Sequence, residues 1–223
     1  MEAIYSTPVA RELVWRIPSR GPLFEGDCVG VGWPEADEID RLTALRNRPQ
    51  VRIKFLDPRP LDLARNRDWI SHGMRRPYEA LLSIRLKRTG VLVGAIGWSH
   101  GDPGEASLEL GRAMVDAAAL RQYRHAFPRG YVGVATDAGV ALRDFVFRAL
   151  GLTVIRSVLI DDNLLSLRAL LLGGGRVVGT SRVQRTDGTE VAVTRLELRR
   201  EAWEALVARR EHAPPPSAAR ADR

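Results

Sequence analysis

Apolar and polar residues follow one another along this chain with the spacings of both helices and strands. From Ala135 to Leu150 the apolar residues recur every three or four positions, which predicts a core-facing helix, and Gly151 follows as its stop signal. Residues 79–87 alternate, with Leu82, Ile84 and Leu86 on one face, which predicts a strand. Residues 91–98 are nearly all apolar, as expected of a central strand buried on both faces, and Thr89–Gly90 forms the hairpin turn between these two strands.

The same patterns predict the other elements of the chain. Further strands are expected at residues 28–33, 106–115, 154–160, 177–184 and 190–198, and further helices at about 34–47, 61–73, 163–172 and 201–210. The 61–73 helix is expected to turn Leu63, Trp69 and Ile70 inward, residues 51–56 form a short apolar piece, and residues 116–129 form a loop or short helix. This order predicts an α+β domain around one central, mostly antiparallel mixed sheet flanked by helices, with the 130–160 unit as a helical crossover.

The pattern also sets the expected domain bounds. Residues 1–24 show no period and predict an arm or edge strand, residues 25–211 form one domain, and residues 212–223 form a disordered tail. No apolar run reaches the ~20 residues of a membrane span, so no membrane partner is expected. The single cysteine, Cys28, lies in an apolar run and is interpreted as a small buried hydrophobe, with a reduced, cytoplasmic setting as the default.

Charge adds a hypothesis about partners. The 223-residue chain has a net charge of +7, which suits an acidic partner: a nucleic acid, a phosphorylated cofactor or an acidic carrier protein. No arginine-rich run with interleaved aromatic residues occurs, so a nucleic-acid surface is the weakest of these. Four scattered histidines and one cysteine give no metal-ligand spacing, so no metal is expected.

The segment before the 135–150 helix is the first candidate for chemistry. The glycine-bearing turn Gly130–Tyr131–Val132–Gly133 runs directly into a helix N-terminus, where backbone N–H groups and the helix dipole favour a phosphate. The alternative is that any tight loop before a core helix needs glycine. On this segment alone the two interpretations are balanced.

Four segments, in order, resemble one family. They are LTALRNRPQVRIKFLD (42–57), GVLVGAIGW (90–98), LELGRAMVD (108–116) with GYVGVATDAGVALRDFVFRALGL (130–152), and IDDNLLSLRALLLGGG (160–175). Together they resemble the GNAT superfamily of N-acyltransferases, in particular the branch of the ribosomal-protein alanine acetyltransferases. The resemblance covers roughly residues 25–200.

The resemblance implies a GNAT fold in which two neighbouring parallel strands, residues 106–115 and 154–160, splay apart around the pantetheine arm of an acyl-CoA. Backbone groups of Ala113, Met114 and Val115 would pair with the pantetheine amides. Asn163 would bind the arm, with Ser166 at the family's serine position, although Asn163 also suits a helix N-cap. The phosphates would lie on the turn and the first helical residues, namely Arg129, Gly130, Tyr131, Val132, Gly133, Val134 and Ala135.

Two departures from the family pattern bear on the donor and on the general acid. Gly130 and Val132 occupy the positions where basic residues are expected in the turn. Either coenzyme A binds with Arg129 or Arg124 substituting, or the donor is the single-phosphate phosphopantetheine arm of an acidic acyl carrier protein. The family's tyrosine, which protonates the leaving thiolate, is replaced by Leu170.

The implied reaction is direct attack of an amine on a thioester. Glu109 is the first candidate for the base, because burial beside the sheet would raise its pKa, and His100 is the second; Asp102 and Glu105 are weaker. A strand bulge at Gly111 could expose an N–H near Met114 or Val115 as the oxyanion donor, and Trp98 is expected in the core or beside the acceptor. A small-molecule or peptide amine is the expected acceptor, a homodimer is left open, and a non-catalytic acyl-binding module is the rival interpretation.

Overall fold

The structure is a computed structural model that describes residues 21–73, 79–100 and 106–211. Its strands are β1 (Phe24–Glu25), β2 (Val29–Gly32), β3 (Ala80–Leu86), β4 (Leu92–His100), β5 (Ser107–Val115), β6 (Val154–Ile160), β7 (Arg176–Gln184) and β8 (Glu190–Arg199). Its helices are α1 (Ala36–Asn47), α2 (Pro49–Arg52), α3 (Leu63–Gly73), α4 (Ala117–Gln122), α5 (Val134–Asp144), α6 (Leu164–Leu172) and α7 (Arg200–Glu211). A 3₁₀ turn covers Arg124–Ala126, and a π-helical turn, Phe145–Ala149, extends α5.

All eight strands form one sheet in the order β1-β2-β3-β4-β5-β6-β8-β7. Every neighbouring pair is antiparallel except β5 and β6, which are parallel. Helix α5 lies in the connection between these two strands, as a parallel pair requires. The predicted mixed sheet and its helical crossover are therefore confirmed.

Hydrophobic residues cover both faces of the sheet. One face packs on α5 through a cluster that includes Leu142, Val146 and Phe147, each at most 2% exposed. The other face packs on α1 and α3 through Leu42 and Ile70. Strand β4 contributes to both clusters, as its continuous apolar sequence predicts.

A buried ion pair anchors α1 on β3. Glu38 is only 5% exposed and accepts hydrogen bonds from Arg85 Nε at 2.7 Å and from Ser83 Oγ at 2.8 Å. The carboxylate also accepts from the backbone N–H of Glu35 at 2.9 Å, which closes the first turn of the helix. These contacts fix the start of α1, the helix that carries one wall of the candidate acceptor pocket described below.

The structure differs from the predicted pattern at three places. Leu63, predicted to face inward, is 39% exposed because it is the first residue of α3 and lies at the end of the helix. The short apolar piece at residues 51–56 is entered through a four-residue helix that Pro49 opens. Regular α-helix ends at Asp144, and the predicted helix runs on to Ala149 only as a π turn before Gly151 at φ 69°.

Candidate active site

The parallel strands β5 and β6 separate along their length. Their backbone pairing covers only Ser107↔Val154, Leu108↔Ile155 and Glu109↔Arg156, although β5 continues to Val115 and β6 to Ile160. At the next position Ser157 Oγ donates to the carbonyl of Leu110 at 3.0 Å, so a side chain replaces the ladder hydrogen bond where the strands part. Beyond Glu109 and Arg156 the two strands are not paired with each other, which is the separation that the family resemblance implies.

A β-bulge distorts β5 within this open stretch. Ala95 of β4 lies opposite Met114 and Gly97 lies opposite Gly111, so β5 has one residue more than β4 between these pairs. Arg112 takes up the difference with φ 56°, an uncommon conformation for a residue other than glycine. We predicted the bulge at Gly111, and this prediction was wrong by one residue because a tertiary contact holds Arg112: its guanidinium pairs with Glu79 and lies 4.6 Å above the Trp69 ring.

The glycine turn before α5 presents backbone rather than side chains. Gly130 and Gly133 both have positive φ, at 76° and 99°, and a Cβ at either position would meet no atom within 4 Å. Helix α5 begins at Val134, and its first intrahelical hydrogen bond runs from the backbone N–H of Asp137 to the carbonyl of Gly133 at 2.9 Å. The N–H groups that precede Asp137 in the helix lack intrahelical acceptors, so the turn has the geometry of an anion site.

The turn itself, Gly130–Gly133, contains no basic residue. Val132 is 64% exposed at the position of an expected cation. Arg129 precedes the turn and Arg124 lies in the 3₁₀ turn before it, and both side chains are exposed. Any contribution of these two arginines to phosphate binding is therefore made from the surface.

The turn is fastened by one carboxylate. Asp137 is 4% exposed and accepts hydrogen bonds at 2.8 Å from the Asp27 N–H, the Cys28 N–H and the Tyr131 hydroxyl. Burial, together with this hydrogen bond, raises the pKa of Tyr131 well above its usual range. Asp137 therefore links the β1–β2 connection, the glycine turn and α5 at one point.

The two predicted bases occupy the paired part of β5. Glu109 is half-buried, with its Cα opposite Ser99 of β4 and Arg156 of β6, at the last position before the strands part. His100 ends β4, its backbone opposite Leu108, at the other end of β5 from the bulge, and nothing of its side chain is described. Asp102 and Glu105 lie outside the described residues. Trp98 is 3% exposed in the core beside Phe145, so core packing rather than the acceptor pocket accounts for it.

Three residues singled out in the sequence lie in α6 or directly before it. Asn163 precedes α6 at the N-cap position, but its side chain makes no capping hydrogen bond, so the N-cap interpretation was wrong for its side chain. Ser166 lies in the first turn of the helix and is half-buried. Leu170, at the tyrosine position, is half-buried near the end of α6, and its carbonyl accepts from the Gly175 N–H at 2.9 Å.

A pocket of about 660 Å³ lies between α1, α3 and the bulge of β5. Its walls include Arg46 from α1, Glu79 before β3, and Arg112 and Met114 from the bulge. The β7–β8 turn braces the loop that closes it, since Thr186 Oγ1 donates to Asp57 Oδ1 at 2.6 Å. Because this pocket reaches the bulge, it is the candidate acceptor site.

Sequence analysis assigned Met114 to the site and turned Trp69 inward, but it gave no site role to the charged residues that line this pocket. Arg46 lies in a segment that carries the family resemblance, and its place in LRNRP was the one available signal. Glu79 and Trp69 gave no signal, since a carboxylate before a strand and a tryptophan in a helix are ordinary features.

A second cavity, of about 770 Å³, lies between the β1–β2 connection and α5. It touches the glycine turn at Val132, but none of its lining residues belongs to β5 or β6. Although this cavity is the larger of the two, it is therefore not the candidate site. Among the described residues no group of three or more histidine, cysteine, aspartate or glutamate side chains is placed to hold a metal ion.

A mixed sheet with a splayed parallel pair, a bulge and a glycine turn that opens the crossover helix defines an acyl-thioester-binding fold. The family model described as acetyltransferase (GNAT) domain matches residues 32–176. The chain belongs to the GNAT family and is an acyltransferase. Within the described parts of the chain, no helix has the length and apolar character needed to cross a membrane.

Solved structures of low sequence identity share the fold. A GCN5-related N-acetyltransferase from Brucella melitensis superposes with a TM-score of 0.66 at 20% identity, over 88% of this chain and 87% of that one. Spermidine N-acetyltransferase from Vibrio cholerae, in complex with CoA and spermine, gives 0.65 at 13% identity, over 79% and 98%. The microcin C7 self-immunity acetyltransferase, in complex with acetyl-CoA and AMP, gives 0.61 at 15% identity, over 78% and 93%. No curated protein matches the chain at a significant level.

Proposed function

We propose that this protein transfers an acetyl group from acetyl-CoA to a primary amine. The observation that carries the proposal is the open end of the β5–β6 pair, where β5 has the bulge that the pocket of about 660 Å³ reaches. The fold neighbours include one in complex with CoA and one in complex with acetyl-CoA, which supports the same donor here.

The donor is assigned to the backbone of β5 and of the turn. In the proposal the pantetheine amides pair with Ala113–Val115, and phosphate oxygens accept from N–H groups of the turn and of the first turn of α5. Asn163 and Ser166, at the start of α6, border the arm. Arg129 supplements the phosphate contact from the surface, since Val132 and Gly130 carry no charge.

The chemistry needs one base and one oxyanion donor. The amine nitrogen attacks the thioester carbon, the C–N bond forms, and the C–S bond breaks to release the thiolate. In the proposal Glu109 takes the proton of the amine, directly or through water, with His100 as the second candidate. In the proposal the N–H of Met114 or Val115, beside the bulge, stabilises the oxyanion. With Leu170 in place of a tyrosine, the thiolate takes its proton from solvent.

A carrier-protein donor is the second candidate. The turn without cations and the net charge of +7 favour a single phosphate on an acidic protein. Such a donor would use the same backbone groups, so the two candidates differ in affinity for acetyl-CoA and not in the site.

Loss of the thioester in the presence of an amine panel tests the proposal. The panel includes peptides with a free N-terminus, because of the resemblance to the ribosomal-protein branch. We expect turnover by the wild type and none by Ala135→Trp, because the indole would fill the space at the first turn of α5. Ala202→Trp is the matched control: it places the same side chain on an exposed position in the first turn of α7 and should keep full activity. A folded wild type that consumes no acetyl-CoA with any amine would contradict the proposal.

A further inference from the structure

Arg46 has an unusual environment in the acceptor pocket. Its side chain comes from the last turn of α1, and the residue is only 7% exposed. Nη2 donates to the carbonyl of Asp57 at 2.5 Å, and the guanidinium lies 3.8 Å above the centre of the Phe55 ring. These contacts hold the guanidinium plane in one orientation at the wall of the pocket.

The other terminal nitrogen of Arg46 is unsatisfied. Nη1 is buried and has no hydrogen-bond partner among the described residues. Burial lowers the pKa of Arg46 below its usual value, yet a guanidinium stays charged at neutral pH. A buried donor without an acceptor is costly, and more so on a cation, so this group calls for an explanation, and a bound anion is one that fits its charge.

The carboxylates that line the same pocket already have partners. Asp57 pairs with Arg59 at 2.8 Å, and this hydrogen bond holds the pKa of Asp57 well below its usual range. Glu79 pairs with Arg112, and Asp62 accepts from the backbone N–H of Arg65 at 2.9 Å. Four arginines, Arg46 among them, and three carboxylates line the pocket, so the lining has an excess of one positive charge.

We infer that the acceptor is an amine that also carries an oxyanion, a carboxylate or a phosphate, and that Arg46 Nη1 binds this group. The same pocket reaches Arg112 and Met114 of the bulge, so one acceptor can place its anion at Arg46 and its amine beside the thioester. A guanidinium suits both anions because its paired N–H groups match their oxygens. A polyamine, in contrast, would meet Nη1 with a like charge. This inference rests on the proposed function for the position of the amine.

Matched pairs of amines test the inference in the wild type without any substitution. The pairs are amino acids against their C-terminal amides, and O-phosphoethanolamine against ethanolamine, with spermidine as the cationic arm. We expect kcat/KM to be at least tenfold higher for the anionic member of one pair. Which pair shows this difference identifies the preferred anion as a carboxylate or a phosphate. Equal use of both members in every pair, or a preference for spermidine, would overturn the inference.

Substitution then tests the residue. Arg46→Gln should abolish the preference for the anionic member, through a higher KM for that member. Arg41→Gln, an exposed arginine on the same helix outside the pocket, should keep the preference. Arg46→Lys keeps the positive charge but lacks the planar guanidinium, so it should retain part of the preference for the anionic member. It also serves as a second variant if Arg46→Gln fails to fold. A preference that survives in both folded Arg46 variants would refute the assignment.

Binding of the N-acetylated anionic and neutral compounds, measured by calorimetry, separates this inference from the proposed function. If no amine is acetylated but the wild type binds N-acetylglycine or N-acetyl-O-phosphoethanolamine more tightly than the neutral partner, and Arg46→Gln loses that preference, the proposed function fails and the anion site stands. If the wild type shows no such preference, the anion site fails whatever the turnover.

Discussion

Removal of the Asp137 carboxylate is the sharpest test of how the donor turn is built. Asp137 accepts three hydrogen bonds, each at 2.8 Å, from two backbone N–H groups of the β1–β2 connection and from the Tyr131 hydroxyl. It is 4% exposed, and the site is so close-packed that a Cβ on Gly26 would lie 2.1 Å from Oδ1. Asp137→Ala leaves three donors without their acceptor, with little room for a replacement.

The magnitude follows from the number of donors. A buried donor left unsatisfied costs about 1–3 kcal/mol. The three donors are only partly buried, so the lower end applies to each, and Asp137→Ala should lower the free energy of unfolding by about 3 kcal/mol. Asp137→Asn keeps one acceptor oxygen but turns an amide donor toward an N–H group, and should cost about 2 kcal/mol.

Urea unfolding followed by circular dichroism measures this effect, with Asp144→Asn as the matched control. Asp144 ends the same helix, its side chain is 44% exposed, and its pair with Arg148 spans 3.3 Å, so its loss should cost less than about 0.5 kcal/mol. Equal shifts for Asp137→Ala and Asp144→Asn would refute the reasoning. Asp137→Ala should also weaken acetyl-CoA binding, because Tyr131 and the turn lose their anchor.

Two further predictions follow from the same site. Tyr131→Phe should lower the free energy of unfolding by about 1 kcal/mol at pH 8. Because the pKa of Tyr131 is raised in the folded protein, the contribution of its hydroxyl is fully present below the ordinary pKa of about 10. Above that pH the contribution should decline by about 1.4 kcal/mol per pH unit. Urea midpoints of both proteins at pH 8, 10 and 11 check this, and a difference that does not change with pH would contradict it. Glu109→Gln should lower kcat by about 10²–10⁴-fold if Glu109 is the base. Glu190→Gln, at an exposed position of the β7–β8 hairpin, is the control and should keep the wild-type rate. Full activity in Glu109→Gln would show that another group is the base.

The fold was predictable because its signals are local. Alternation in β3, the continuous apolar sequence of β4 and the glycines around α5 each predict one element from neighbouring residues. The order of these elements then restricts the topology to a mixed sheet with one helical crossover. The glycine turn was predictable for the same reason, since its sequence directly determines its conformation.

The fine structure of the site depends on contacts that sequence spacing does not reveal. Asp137 meets Cys28 across 109 residues, and Arg112 meets Glu79 across 33. Arg112 illustrates the consequence: glycine was the obvious residue for a bulge, but an ion pair holds the arginine in the left-handed region instead. The leucines of α6 show the opposite case, since a Leu-rich helix suggests burial, whereas Leu164 and Leu165 are 67% and 86% exposed.

Calorimetric titration with acetyl-CoA tests the central claim most directly, because the claim is that the glycine turn and the splayed strands hold this donor. We expect the wild type to bind with a dissociation constant below about 1 mM, the upper end of usual Michaelis constants. Gly133→Trp should abolish binding, and Gly90→Trp, at another open glycine with positive φ in the β3–β4 turn, should retain it. A folded wild type that binds no acetyl-CoA at millimolar concentration, or binding that survives in Gly133→Trp, would contradict the account.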